Sequence, residues 1–269
     1  MEAQQDILQT IVAHKLKELI VQKENVSASE LEQLISNSPA LSLHSLSMKK
    51  GLQTSDTGII AEFKRKSPSK GWIKENGTPE TIPTDYALHG ASAISILTDE
   101  TFFGGKLDYI RRARPLISST PILRKDFIID EYQLFQAKQV GANAVLLIAS
   151  CLTKERCKQL AHMAKELSLE SLLEIHSEQE LEWINDDIDM IGVNNRHLGT
   201  FHTNVETSFK LASLLPPELI HVSESGISDP MTVKQLRDVG YKGFLIGETF
   251  MKTKNPGESL SNFIKEIHS

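Results

Sequence analysis

The chain has 269 residues, 40% of them hydrophobic and 24% charged. These values sit near globular averages and exclude wholesale disorder, a collagen repeat and a long coiled coil, and a chain of this length buries enough core to need no disulfide or metal staple. With 29 basic against 35 acidic residues the net charge is −6, which argues against general nucleic-acid or membrane-surface binding but leaves room for a local cationic site.

The first ~50 residues differ in texture from the rest. Ile7, Leu8, Ile11, Val12, Leu16, Leu19 and Ile20 recur at helical spacing and predict an amphipathic helix of about four turns. A second short helix is expected from near Ser29 through Leu34, with Glu32 completing an S-x-x-E capping box. Residues 36–58 are Ser-rich, contain Pro39 and Lys49-Lys50-Gly51, and read as a loop-rich connection. Residues 1–15 lack the apolar core of a signal peptide, and the longest clean apolar run, Ala144–Ala149, is far short of the ~18 residues of a membrane span, so the expected location is cytoplasmic.

From Ile59 short apolar runs alternate with helical patterns. Strands are expected at Ile59–Lys64, Ala91–Leu97, Pro121–Arg124, Ala142–Ile148, Glu170–Ile175, Met190–Val193, Ile220–Ser223 and Gly243–Ile246, with helices such as Thr153–Leu167 and Pro230–Val239 between them. About eight β-then-α units demand parallel strands joined by crossover helices. Gly90, Gly141 and Gly240 each end a helix and lead into a strand, at spacings close to 50 residues or twice that, as quarter units of a closed eightfold barrel would. The expected architecture is therefore an α/β TIM (β/α)8 barrel over 59–269 with an N-terminal helical extension over 1–50, together one domain. A doubly wound open sheet would want a Gly-rich turn after its first strand, and Glu62-Phe63-Lys64-Arg65 is not one.

In a barrel, function sits at the C-terminal strand ends. In order these carry Glu62 and Lys64; Thr98 and Asp99; Lys125 and Asp126; Ser150; Glu174 and His176; Asn194, Asn195 and Arg196; Glu224, Ser225 and Gly226; Gly247 and Glu248. Polar residues end strands anyway because loops face water, but ionisable groups inside the last strand positions are costly unless paired. Residues two apart share a strand face, so Glu62 with Lys64, and Leu172 with Glu174 and His176, point the same way. If that face is the interior, Glu62, Lys64, Lys125 and Glu174 converge on one mouth and shift one another's pKa, as proton transfer requires; the competing reading is a structural ion-pair network. Ser225-Gly226 and Gly247-Glu248 put small residues at the last two strand ends, where freed backbone N–H groups cradle a phosphate, with Ser67 and Lys64 in reach from the first loop. The basic, Gly-punctuated loop 65–78 suits a mobile lid over an anionic substrate.

Neither cysteines nor histidines predict a metal. Cys151 and Cys157 cannot make a disulfide framework or a four-ligand zinc site, and read as ordinary thiols in a reducing cytosol. The histidines show no ligand spacing: His14, His89, His162 and His268 fall on helices as surface or filler, and His176 and His197 lie near the mouth without an evident partner.

Six ordered motifs carry a resemblance. Ile60-Ala61-Glu62-Phe63-Lys64-Arg65-Lys66-Ser67-Pro68-Ser69, Leu123-Arg124-Lys125-Asp126-Phe127, Leu173-Glu174-Ile175, Gly192-Val193-Asn194-Asn195-Arg196, Ser223-Glu224-Ser225-Gly226-Ile227 and Leu245-Ile246-Gly247 resemble the indole-3-glycerol phosphate synthase family, over essentially the whole chain. The resemblance implies a cofactor-free carboxy-lyase of tryptophan biosynthesis that closes the ring of 1-(2-carboxyphenylamino)-1-deoxyribulose 5-phosphate with loss of CO2 and water. It implies Lys125 as general acid, Glu174 as proton acceptor, Lys64 beside the substrate carboxylate, and Glu62 and Asn194 as orienting groups with Arg196 alongside. Ser67, Ser225, Gly226, Gly247 and Glu248 match its phosphate positions, and Phe103, Phe127 and Leu146 would wall the anthranilate ring. The extension would help to cover the site. Two positions depart from the family pattern: Glu248 stands where Ser is frequent, and His197 where Asp is frequent. The expected partner is a small phosphorylated molecule, with no nucleic acid or membrane, for a monomer or weak homo-oligomer. Competing functions are a Schiff-base aldolase using Lys125 or Lys64, and a silent scaffold barrel.

Overall fold

The computed structural model describes residues 7–38, 46–196 and 202–269. His197 and part of the expected loop 36–58 lie outside them.

Eight parallel strands close into a barrel in chain order: β1 (Ile59–Phe63), β4 (Ala93–Leu97), β5 (Ile122–Lys125), β6 (Ala144–Ile148), β7 (Glu170–Ile175), β8 (Met190–Asn194), β9 (Ile220–Glu224) and β10 (Gly243–Ile246), which returns to β1. The strands read as near-continuous apolar runs because helices cover the outside and side chains fill the inside. Period-two alternation sorts them. Ile60, Ala93, Leu123, Ala144, Leu146, Leu172, Met190, Val222 and Leu245 share one buried cluster inside the barrel. Ile59, Ala61, Ile94, Ile122, Val145, Leu173, Ile191 and Phe244 belong to the other, beneath the helices. The same alternation carries Glu62, Lys125, Glu174, Asn194 and Glu224 to the inner face one step above the apolar layers.

The extension closes both ends of the barrel. Helix α1 (Ile7–Asn25) adds Leu8 and Ile11 to the interior cluster beside Phe127, Leu146 and Ile148. Its buried stripe is Leu8, Ile11, Lys15 and Leu19, whereas Leu16 and Ile20, expected on the apolar face, are 54% and 60% exposed. A lysine occupies the stripe because buried carboxylates of the barrel meet it there. Helix α2 (Ala28–Ser36) is capped two residues earlier than expected: Ser27 caps it, its Oγ accepting from the Glu30 N–H at 3.2 Å while Glu30 Oε2 accepts from the Ser27 N–H at 2.7 Å. Ser27–Glu30 and Ser29–Glu32 overlap as S-x-x-E tetrads, and the pattern alone could not separate them. The expected loop also contains a helix, α3 (Met48–Thr54), capped by Ser47. Its Met48 and Leu52 enter the interior cluster, and Leu52 lies against Gly243 at the start of β10, so α3 plugs the N-terminal end.

The loop after β1 folds on itself. Strands β2 (Lys66–Ser67) and β3 (Gly71–Trp72) pair as a short antiparallel hairpin, with the Arg65 guanidinium 5.2 Å from the Trp72 ring centre. Among the described residues no helix is long and apolar enough to cross a membrane. Neither Cys151 nor Cys157 is in a disulfide.

Candidate active site

A cavity of about 410 Å³ opens at the C-terminal end of the barrel. Of the residues singled out from the sequence, Glu62, Lys64, Lys125, Glu174, Asn194, Arg196, Ser225, Gly226, Gly247, Glu248, Phe103, Phe127 and Leu146 all line it. Ser67 does not: it is buried in β2, and Pro68 and Lys70 of the same hairpin reach the wall instead.

The ionisable groups form two sets. Lys64 Nζ lies 2.5 Å from Glu62 Oε2. Lys125 Nζ donates to Glu174 Oε2 at 3.1 Å and lies 3.6 Å from Glu224 Oε2. Burial alone would lower Lys125, yet Glu174, Glu224 and Glu62 together outweigh it and hold the ammonium above its usual value. Glu174 is the mirror case: burial would raise it, but Lys125, His176 and the Asn194 side-chain hydrogen bond hold it well below the carboxylate range. Burial pushes Glu224 up to about 8 against the pull of Lys125, with Glu174 and Glu62 adding to the rise. Two adjacent buried carboxyls are thus driven in opposite directions, Glu174 down and Glu224 up.

Glu224 was visible at a strand end but had no role assigned from the sequence. Its parity with Val222 was the available signal, since both point inward. Gly192 on β8 makes room for it: a Cβ there would stand 2.2 Å from Glu224 Oε1 and 3.3 Å from Leu172 Cδ1. Gly192→Ala is expected to cost about 1–3 kcal/mol by overpacking, read from the urea midpoint. His176, expected to lack a partner, has two: Nε2 lies 3.4 Å from Glu174 Oε1 and Nδ1 3.6 Å from Glu180 Oε2.

The walls are chemically divided. Leu8, Ile11, Phe103, Phe127, Leu146 and Ile148 form an apolar side, with the Phe103 and Phe127 rings 5.9 Å apart. Across from it lie Lys64, Lys70, Arg196, Ser225, Gly226 and Gly247. Ser225 and Gly226 are consecutive left-handed residues, with φ of 67° and 78°. A Cβ on Gly226 would stand 2.5 Å from Thr203 Cγ2, so the turn packs tightly against the segment after β8. Glu248 brings a carboxylate to this side, and Lys70 Nζ pairs with it at 2.5 Å.

A family model described as indole-3-glycerol phosphate synthase matches residues 8–265. The chain belongs to the indole-3-glycerol phosphate synthase family. An indole-3-glycerol phosphate synthase from Bacteroides thetaiotaomicron is 62% identical over 262 residues, covering 97% of this chain and 99% of that protein. One from Aliarcobacter butzleri is 40% identical, covering 96% and 98%. Two solved structures share the fold at low identity. Tryptophan synthase subunit alpha from Legionella pneumophila str. Paris has a TM-score of 0.61 at 15% identity, covering 82% of this chain and 98% of that one. 3-Hexulose-6-phosphate synthase from Salmonella typhimurium has a TM-score of 0.61 at 12% identity, covering 78% and 100%. The family membership turns the divided cavity into a question of which wall holds which part of the substrate.

Proposed function

We propose that the chain converts 1-(2-carboxyphenylamino)-1-deoxyribulose 5-phosphate to indole-3-glycerol phosphate, with Lys125 as general acid and Glu174 as proton acceptor. The observation that carries this reading is the placement of Lys125. Its ammonium stands in the cavity wall at the end of β5, among the strands that carry the apolar side, 3.1 Å from the Glu174 carboxylate and 3.6 Å from Glu224 at the end of β9. The anthranilate ring fits against Phe103, Phe127 and Leu146. The phosphate fits the Ser225-Gly226 turn and Gly247, where backbone N–H groups with Lys70, Lys64 and Arg196 supply positive field. Lys70 also neutralises Glu248, which explains how a carboxylate is tolerated there.

In the first step the ring carbon bearing the carboxylate attacks the ribulose carbonyl. The carbonyl oxygen takes the proton of Lys125 as its charge develops, and loss of CO2 returns the electron pair to the ring. Lys64, held by Glu62, faces the substrate carboxylate until CO2 leaves, after which its ammonium is free to protonate the departing hydroxyl. Glu174 accepts the proton from the methylene carbon beside nitrogen, completing the indole, and its contact with Lys125 offers a route to restore the ammonium. Asn194 orients Glu174, and Glu224, whose burial favours its protonated form, donates a hydrogen bond to a substrate oxygen.

Mixing the protein with this substrate is expected to produce indole fluorescence. No rise at micromolar enzyme overturns the reading.

A further inference from the structure

Glu174 is flanked on both oxygens. Oε2 accepts from Lys125 at 3.1 Å, and Oε1 lies 3.4 Å from His176 Nε2. His176 follows Glu174 by two residues, so the end of β7 points it inward as well, yet it stops behind Glu174 and does not line the cavity. Its side chain is 14% exposed. On its far side Nδ1 lies 3.6 Å from Glu180 Oε2, in the 3-10 helix Glu178–Trp183, and the same carboxylate oxygen accepts the His176 backbone N–H. Neither ring nitrogen makes a hydrogen bond of good geometry among the described residues, so what the ring offers its two neighbours is charge.

We infer that His176 is a positioning residue, an imidazolium anchored by Glu180 that supports the negative charge of Glu174 when Lys125 gives up its proton. The inference rests on the role proposed above for Glu174. Once Lys125 becomes a neutral amine, Glu174 keeps its Asn194 hydrogen bond but loses the cation on Oε2, and His176 beside Oε1 is then the group that can supply positive charge. The charged and titratable groups facing the imidazole are Glu174 from β7, Glu180 from the 3-10 helix and Lys125 from β5. Burial and Lys125 oppose its protonation, and the two carboxylates outweigh them, so the ring holds its proton to higher pH than a free imidazole.

His176→Gln is expected to lower kcat about tenfold, the effect of one pKa unit on Glu174, with KM changed less than about twofold because His176 touches no substrate. Without the imidazolium Glu174 protonates more readily, so the acid limb of kcat moves to higher pH. At alkaline pH, where wild-type His176 loses its own proton, the two proteins converge, and His176→Lys retains activity there. A loss that is equal at every pH, or an unchanged kcat and profile, overturns the inference. Glu180→Gln provides an independent reading in case His176→Gln does not fold: it is expected to bring the alkaline fall of kcat to lower pH, and an unmoved limb overturns the inference. Glu174→Gln separates the two levels. Full activity there defeats the role of Glu174 itself, whereas inactivity there with an unperturbed His176→Gln defeats only the role of His176.

Discussion

Lys125→Ala is expected to lose at least ~10²-fold in kcat, a general-acid contribution, with a smaller change in KM. The environment of Lys125 decides what kind of chemistry it can do. Glu174 at 3.1 Å and Glu224 at 3.6 Å keep it protonated, above its usual value despite burial. An amine held as ammonium is a poor nucleophile, so the same contacts that favour proton donation disfavour a Schiff base. An acid held this tightly does not protonate a resting carbonyl. It transfers its proton only as the oxygen becomes an alkoxide, which makes the interaction specific to the transition state and lowers kcat when it is removed. Lys125→Arg keeps the charge but holds its proton more strongly and in a fixed fork, so it is expected not to rescue turnover. Steady-state kinetics on the folded variants check both statements, and near-normal turnover in Lys125→Ala refutes the role.

The barrel was legible because its signals are local and repeated: apolar runs of strand length, Gly before the strands, and helical periodicity between them. The convergence of Glu62, Lys64, Lys125 and Glu174 was also legible, since period-two parity fixes which strand residues face inward. Parity does not say who pairs with whom. It left open that Lys64 turns to Glu62 while Lys125 turns to Glu174 and Glu224, and that His176 stops behind Glu174 against Glu180. Those choices depend on barrel closure and on side chains far apart in sequence. Helix α3 escaped for a different reason: seven residues holding only Met48 and Leu52 as buried apolar groups give no period to read, and its stability comes from plugging the barrel. In α1 the buried stripe was misread at Lys15, which is buried, and at Leu16 and Ile20, which are exposed, because Lys15 looks like a surface residue until its partners are known.

Lys15→Met is expected to cost about 3–5 kcal/mol of stability and to raise KM. Lys15 is 4% exposed, and its Nζ lies 3.1 Å from both Asp99 and Asp126, and 2.7 Å from Glu18. Asp126 has further partners in Arg124 at 3.0 Å and Thr98 at 2.6 Å, whereas Asp99 is fully buried and accepts the Phe102 N–H at 2.8 Å. Methionine fills the space but leaves Asp99 and Asp126 without the lysine charge, and that uncompensated burial is the source of the cost. Asp126 adjoins Lys125 and Phe127, and α1 carries Leu8 and Ile11 into the cavity wall, so the same break loosens the apolar side of the site. Lys15 thereby joins the extension to a strand end that lines the cavity. The pH dependence has a definite sign. Burial would raise Asp126, but Lys15, Arg124 and the Thr98 hydrogen bond hold it below the carboxylate range. Its contribution is therefore complete above the unfolded value of about 3.9 and is lost as pH falls further. In Lys15→Met that contribution shrinks, so the variant is expected to differ most from wild type near neutrality and less in acid. Urea midpoints at several pH values, with KM measured alongside, check this; an unchanged midpoint and KM near neutral pH would show that α1 is held by Leu8, Ile11 and Leu19 alone.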